Sequence, residues 1–268
     1  MGVLFMRRRD LIAAAVVAAA SCLLGPAQLS AQDDGPMHAP DYRAQQALIA
    51  LYFGPKANAP FSATAKTVWV KIMPDDSTVT TWNERAVARD MEGRIFEERR
   101  FLVPDNSKDP PGLRLLEYSD PQQHALYNCN PNSKRCDLYN YFPGEMQPPA
   151  PVGLQPDGTT YLTRENLGVD TFEGLEVKRS RETYTYYKQT IGNTKTILRT
   201  VEYWYSPALG VNVQVKRHDP RDGDQTLWLT NISLTAADSE TFQIPADYQV
   251  FDRRIARPVP RGQVDEPQ

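Results

Sequence analysis

From Phe61 onward the chain alternates apolar and polar positions with a period of two. Val68, Val70 and Ile72 interleave with Thr67, Trp69 and Lys71, Pro74-Asp75-Asp76-Ser77 reads as a turn, and Thr78 to Ala88 and Arg94 to Leu102 continue the pattern around Met91-Glu92-Gly93. Such alternation sends successive side chains to opposite faces of a pleated strand, so runs joined by short turns predict an antiparallel meander. A second meander is predicted from Gly174 to Tyr186, Thr194 to Tyr205, Val211 to His218 and Gln225 to Leu234, with Asp222-Gly223 as a hairpin turn between the last two. Pro143 to Pro156, rich in Pro and Gly, separates the two meanders. It fits a domain linker and a long crossing loop within one sheet equally well.

Only one segment before Phe61 has helical character. Asp41 to Phe53 starts after Pro40 and stops at Gly54-Pro55, and Ala44, Leu48, Leu51 and Tyr52 fall on one side of the predicted helix. Ahead of it the chain opens with Arg7-Arg8-Arg9, an apolar run and small residues, which is the layout of an export signal. Leu11 to Leu24 is shorter than the roughly 20 apolar residues of a spanning helix. Residues 1–31 are therefore expected to be removed, with cleavage after Ala31 or Ala27, leaving 32–40 as a leader. Arg8-Arg9-Asp10-Leu11-Ile12 also fits the twin-arginine pattern. Cys22 as a lipid anchor is the weaker alternative, because Ala19-Ala20-Ser21 lacks the usual large aliphatic residue. The expected location is the periplasm or outside the cell, and Arg253 to Gln268 reads as a disordered Pro/Arg tail.

Charge narrows the partners. Cleavage at Ala31 removes Arg7, Arg8, Arg9 and Asp10 and leaves 27 basic and 32 acidic residues, a balance that disfavours nonspecific nucleic-acid binding. In an exported chain Cys129 and Cys136 are the cysteines that remain, and they flank the turn-forming Asn130-Pro131-Asn132-Ser133-Lys134-Arg135 between two strand-like runs. A disulfide closing a hairpin is expected. Zinc would need further ligands beyond His124, and no C-x-x-C motif is present.

Candidate catalytic groups are sparse. The three histidines, His38, His124 and His218, have no G-x-S-x-G or H-E-x-x-H context, and no cofactor motif is found. Glu97, Glu98, Glu173, Glu176, Asp222 and Asp224 read as exposed charge rather than as a glycosidase pair. Tyr184, Tyr186, Tyr187, Tyr203, Trp204 and Tyr205 on adjacent strands fit cross-strand packing better than a ligand platform.

The segments "LGVDTFEGLEVKRSRET", "VEYWYSPALGVNVQVKRHDPRDGDQTLWLTNISL" and "FQIPADYQV" resemble a family of uncharacterised secreted bacterial proteins, frequent in acidobacteria. "PFSATAKTVWVK", "RDMEGRIFEE" and "YSDPQQHALYNCNP" resemble its first half, although that family's pattern lacks the cysteine pair. The chain is also distantly similar to the LolA-like lipoprotein-carrier superfamily. That resemblance implies an open half-barrel whose helices close an apolar cavity.

The expected fold is thus mainly β, a curved antiparallel sheet with the N-terminal helix packed on it, as one domain over 41–252. The expected function is non-enzymatic binding of a lipid or other apolar ligand in the concave face, lined by Leu48, Leu51, Val68, Val70, Ile72 and Trp204. The alternative is an envelope module that docks another protein and has a filled core. A polysaccharide hydrolase is the third reading.

Overall fold

In a computed structural model, which describes residues 51–143 and 149–254, both meanders belong to one fourteen-stranded sheet. The strands are β1 (Phe61–Ile72), β2 (Thr78–Arg89), β3 (Ile95–Arg100), β4 (Val103–Pro104), β5 (Leu113–Asp120), β6 (Ala125–Asn130) and β7 (Arg135–Asn140), then β8 (Gly153–Leu154), β9 (Thr160–Phe172), β10 (Leu175–Tyr186), β11 (Ile197–Ser206), β12 (Val211–Asp219), β13 (Gly223–Ser233) and β14 (Gln249–Asp252). Their spatial order is β14-β7-β6-β5-β3-β2-β1-β13-β12-β11-β10-β9-β8, with β4 paired to β2. The first meander runs outward from β1 to β7. The second starts at the opposite edge and returns to pair β13 with β1.

This order forces curvature. A flat sheet would set β7 and β8 eleven strand spacings apart, about 53 Å at the usual spacing of about 4.8 Å. The thirteen residue steps from Asn140 to Gly153 span at most about 45 Å. The edges must therefore bend toward each other, and the strands on either side of the Pro-rich stretch belong to one sheet.

Register places the core. Phe61, Ala63, Ala65 and Thr67 of β1 lie buried beside Val87 and Arg89 of β2 and beside Leu227 and Leu229 of β13. Val215, Val201 and Tyr203 extend the same apolar surface onto β12 and β11. Leu51 and Phe53 cover it, with the Phe53 and Phe61 rings 5.8 Å apart. The hairpin at Asp222-Gly223 forms as expected. Gly223 has φ +88° and a Cβ there would meet the Val70 carbonyl oxygen at 2.0 Å, so glycine is required.

A smaller cluster forms on the outer face. Cys129 and Cys136 are disulfide-bonded cross-strand partners on β6 and β7, packed with Tyr118, Phe96, Leu116 and Tyr127. The chain after β13 returns over them, bringing Ile244 and Tyr248 onto the cluster and pairing β14 parallel to β7. Burial raises the Tyr118 phenol to about 12. Arg253 donates its backbone N–H to Leu138, so the first residue of the expected tail is tied to the sheet.

Residues 1–50, 144–148 and 255–268 lie outside the described residues. The signal, the leader, Leu48 and most of the predicted helix fall there, as does the tail beyond Arg254. Leu51–Phe53, the predicted helix's last residues, have irregular backbone.

Candidate functional site

The concave face is identified by a contact across it. Arg89 on β2 donates from Nη2 to the Leu209 carbonyl, 2.5 Å away in the turn between β11 and β12. The same guanidinium donates to Ala59 O at 2.9 and 2.7 Å and to Gly54 O at 2.9 Å. Lys56 Nζ adds a bond of 2.9 Å to the Pro207 carbonyl. Residues 54–59 are thereby clamped over the apolar end of the face. The Arg89 guanidinium also stacks 5.1 Å from the Phe61 ring, and burial pulls it down to about 10.

Toward the other end of the strands the same face becomes charged. Arg85, Glu97, Arg99 and Glu117 project from β2, β3 and β5 on the side that carries Val87 and Ile95. Arg99 lies 3.1 Å from Glu97 and 2.9 Å from Glu117. Glu97 and Arg85 are buried, with exposures of 6% and 7%. Burial raises the Glu97 carboxyl above its ordinary value even though Arg99 and Arg85 pull it down. Burial likewise lowers Arg85, against the attraction of Glu97. Arg85 Nη1 is 3.4 Å from Thr67 Oγ1, while its Nε and the Asn83 Oδ1 beside it are buried without a hydrogen-bond partner. Tyr141 closes on this set from the end of β7. Burial, followed by Tyr52, Glu117 and Glu97, raises its phenol.

A second polar set occupies the far limb of the same face. Glu182 on β10 is fully buried and accepts from Arg164 on β9 at 2.9 Å and from the Tyr184 hydroxyl at 2.9 Å. Burial and then Glu182 raise Tyr184 and Tyr203. Arg199 stacks 4.7 Å from the Tyr184 ring. At the strand ends, Asp219 receives Arg221 at 2.8 Å and Arg217 at 3.2 Å.

The structure places the lining residues read from the sequence as follows. Val68, Val70 and Ile72 alternate with the buried Thr67 and so lie on the outer face, where Ile72 is 39% exposed. Trp204 sits on the other side of β11 from Tyr203, between Arg179 at 4.9 Å and Lys216 at 5.0 Å. Of the proposed lining, Leu51 and Trp204 both belong to the buried apolar cluster, and Leu48 lies outside the described residues. Glu97, expected as exposed charge, is buried. The missed residues carried a signal in parity: Asn83, Arg85 and Arg89 alternate in step with the apolar Val87, so a core on Val87 buries them as well.

The arrangement is chemically that of a binding surface with an apolar floor and fixed charges. The carboxylates that face inward are held by arginines or tyrosines. His218 is exposed and 2.6 Å from Asp224, and His124 occupies the turn between β5 and β6 with φ +50°. Among the described residues no group of three or more His, Cys, Asp or Glu side chains is placed to hold a metal ion.

No protein-family model matches the chain, and no curated protein matches it. Among solved structures, an uncharacterized conserved protein from Thermus thermophilus aligns over 73% of this chain and 91% of its own, at 10% identity and a TM-score of 0.37. A chain of the Pseudomonas aeruginosa MucA/MucB complex aligns over 71% of this chain and 58% of its own, at 12% identity and a TM-score of 0.34. A LolA superfamily protein from Nitrosomonas europaea aligns over 70% and 92%, at 10% identity and a TM-score of 0.25. At these identities and TM-scores the alignments say nothing about site residues.

Proposed function

We propose that the protein is exported to the cell envelope and there binds, without converting it, an amphipathic lipid-like ligand in the concave face of the sheet. The apolar portion would rest on Val201, Tyr203, Val215 and Leu227, and the polar head would meet the Arg85, Glu97, Arg99 and Glu117 set. One observation carries this reading: charged side chains are buried on the same face as the apolar floor. Apolar residues of similar volume would stabilise a merely structural core as well or better, because desolvating an ion pair offsets much of its attraction. The unpartnered Arg85 Nε and Asn83 Oδ1 add a donor and an acceptor for a polar head.

The rival reading, an envelope interaction module with a filled core, is favoured by Leu51 and Phe53, which already pack into the floor. Native mass spectrometry of mature protein purified from a bacterial periplasm, with organic extraction in parallel, separates the two. A lipid-sized adduct is expected. A bare mass, less the two hydrogens of the disulfide, together with an extract free of lipid, favours the interaction module.

A further inference from the structure

The outer face carries an apolar corner that the concave-face reading does not use. Leu154 on β8 is paired with Tyr161 on β9, Tyr161 with Thr185 on β10, and Thr185 with Leu198 on β11, so these side chains form one row across the sheet. Leu154, Leu198 and Tyr187 are 65%, 50% and 51% exposed. The Tyr187 ring lies 6.5 Å from that of Tyr161 and extends the row into the loop between β10 and β11, whose tip exposes Ile191.

The charge around this corner is of one sign within the loop. Residues 187–196 contain Lys188 and Lys195, both exposed, and no acidic residue, in a chain with a net charge of −3. The nearby Asp157 is turned into its own loop, accepting from Thr159 N at 2.8 Å, Thr160 N at 2.9 Å and Thr160 Oγ1 at 2.6 Å. We propose that this corner docks the protein peripherally on an anionic lipid bilayer. Aliphatic side chains flanked by exposed tyrosines suit the interfacial zone, and the lysines complement acidic head groups. A second copy paired through the β9 edge fits less well, because Arg164, Glu165 and Asp170 place charge along that strand, a usual means of blocking edge-to-edge pairing.

The test is independent of any ligand in the concave face, since it reads vesicle binding by protein stripped of bound lipid. Mature protein is floated with vesicles of phosphatidylethanolamine and phosphatidylglycerol, and separately with phosphatidylcholine vesicles. Flotation with the anionic vesicles alone, reversed by added salt, is expected. K188Q/K195Q, which changes two exposed side chains, lowers vesicle affinity about thirtyfold, and Y187S/I191S abolishes flotation at low salt. The proposal is overturned if the wild type fails to float with anionic vesicles or if both variants float like the wild type. It is equally overturned if the wild type is a dimer in solution that Y187S/I191S makes monomeric, which would assign the corner to a copy-to-copy interface.

Discussion

The Arg89 guanidinium and the Leu209 carbonyl meet at 2.5 Å although they are 120 residues apart in sequence. Between their strands lie β1 and β13, so in a flat sheet β2 and β12 would be about 14 Å apart. The bond therefore reports the bend of the sheet, and through Ala59 and Gly54 it also holds the segment that covers the apolar floor. Arg89→Met should lower unfolding free energy by about 3 kcal/mol, since several buried carbonyls lose their donors at once. Arg89→Lys should recover only a minor part, because an ammonium lacks the planar fork. Urea unfolding midpoints check both, and a Lys variant as stable as wild type would show that charge alone suffices.

The disulfide acts on the outer face. Closing an eight-residue ring stabilises by about 2.5 kcal/mol in the chain-entropy model. C129A/C136A should lose about that amount. Cys129 and Cys136 are both fully buried beneath a cluster that includes Ile244 and Tyr248. Reduction in native buffer should therefore be slow and should accelerate when the returning segment is loosened by Tyr248→Ala. Timed alkylation after dithiothreitol addition measures this, and equal rates for the two proteins would rule out shielding by the segment.

Asp219 and Glu97 should move stability with pH in opposite directions. Burial acts to raise the Asp219 carboxyl, but hydrogen bonds from Arg221 and Arg217 outweigh it and hold the group far below the usual carboxylate range. Its folded value being depressed, its contribution is complete above the unfolded value near pH 4 and fades as pH falls toward the folded one. Asp219→Asn should cost about 3 kcal/mol at neutral pH and progressively less in acid. Unfolding curves at neutral and acid pH give the comparison, and a pH-independent difference would contradict the ion-pair assignment.

For Glu97 the sign reverses. Burial raises its folded value, so the folded state holds the proton more tightly than the unfolded chain does. The stabilisation is complete below the unfolded value and is lost as pH rises through the folded one. The stability difference between Glu97→Gln and wild type should shift in favour of the glutamine variant as pH rises from about 4 toward 7. A shift the other way in the same series would mean that Arg99 and Arg85 dominate over burial.

Much of the fold was legible because turns and alternation are local properties. Asp222-Gly223 and the Cys129–Cys136 hairpin announce themselves in short stretches, and each meander follows from runs of period two. Facing was not legible in β1. Its valines alternate with small and polar residues, and hydrophobicity alone points to Val68 and Val70 as the inner set. The structure buries Phe61, Ala63, Ala65 and Thr67 instead, because register aligns them with Val87 and Leu227 on neighbouring strands. Val68 lies on the outer face opposite its cross-strand partner Trp82. The charged half of the site was hidden for a related reason: a strand Glu such as Glu97 looks exposed until register sets Glu117 of the next strand opposite it, with Arg99 of its own strand contacting both.

The assignment of faces makes a direct prediction about ligand retention. Arg85 lies on the inner side of β2, one register step from Val87, whereas Val68 lies on the outer side of β1. Val68→Ser changes polarity where no ligand is proposed, and Arg85→Met removes a buried cation from the proposed head-group set with little change in length. Protein purified from the periplasm should carry its lipid adduct in the first variant and lose most of it in the second, with circular dichroism confirming that both remain folded. Loss of the adduct in Val68→Ser with full retention in Arg85→Met would move the ligand to the outer face and return Val68, Val70 and Ile72 to the lining.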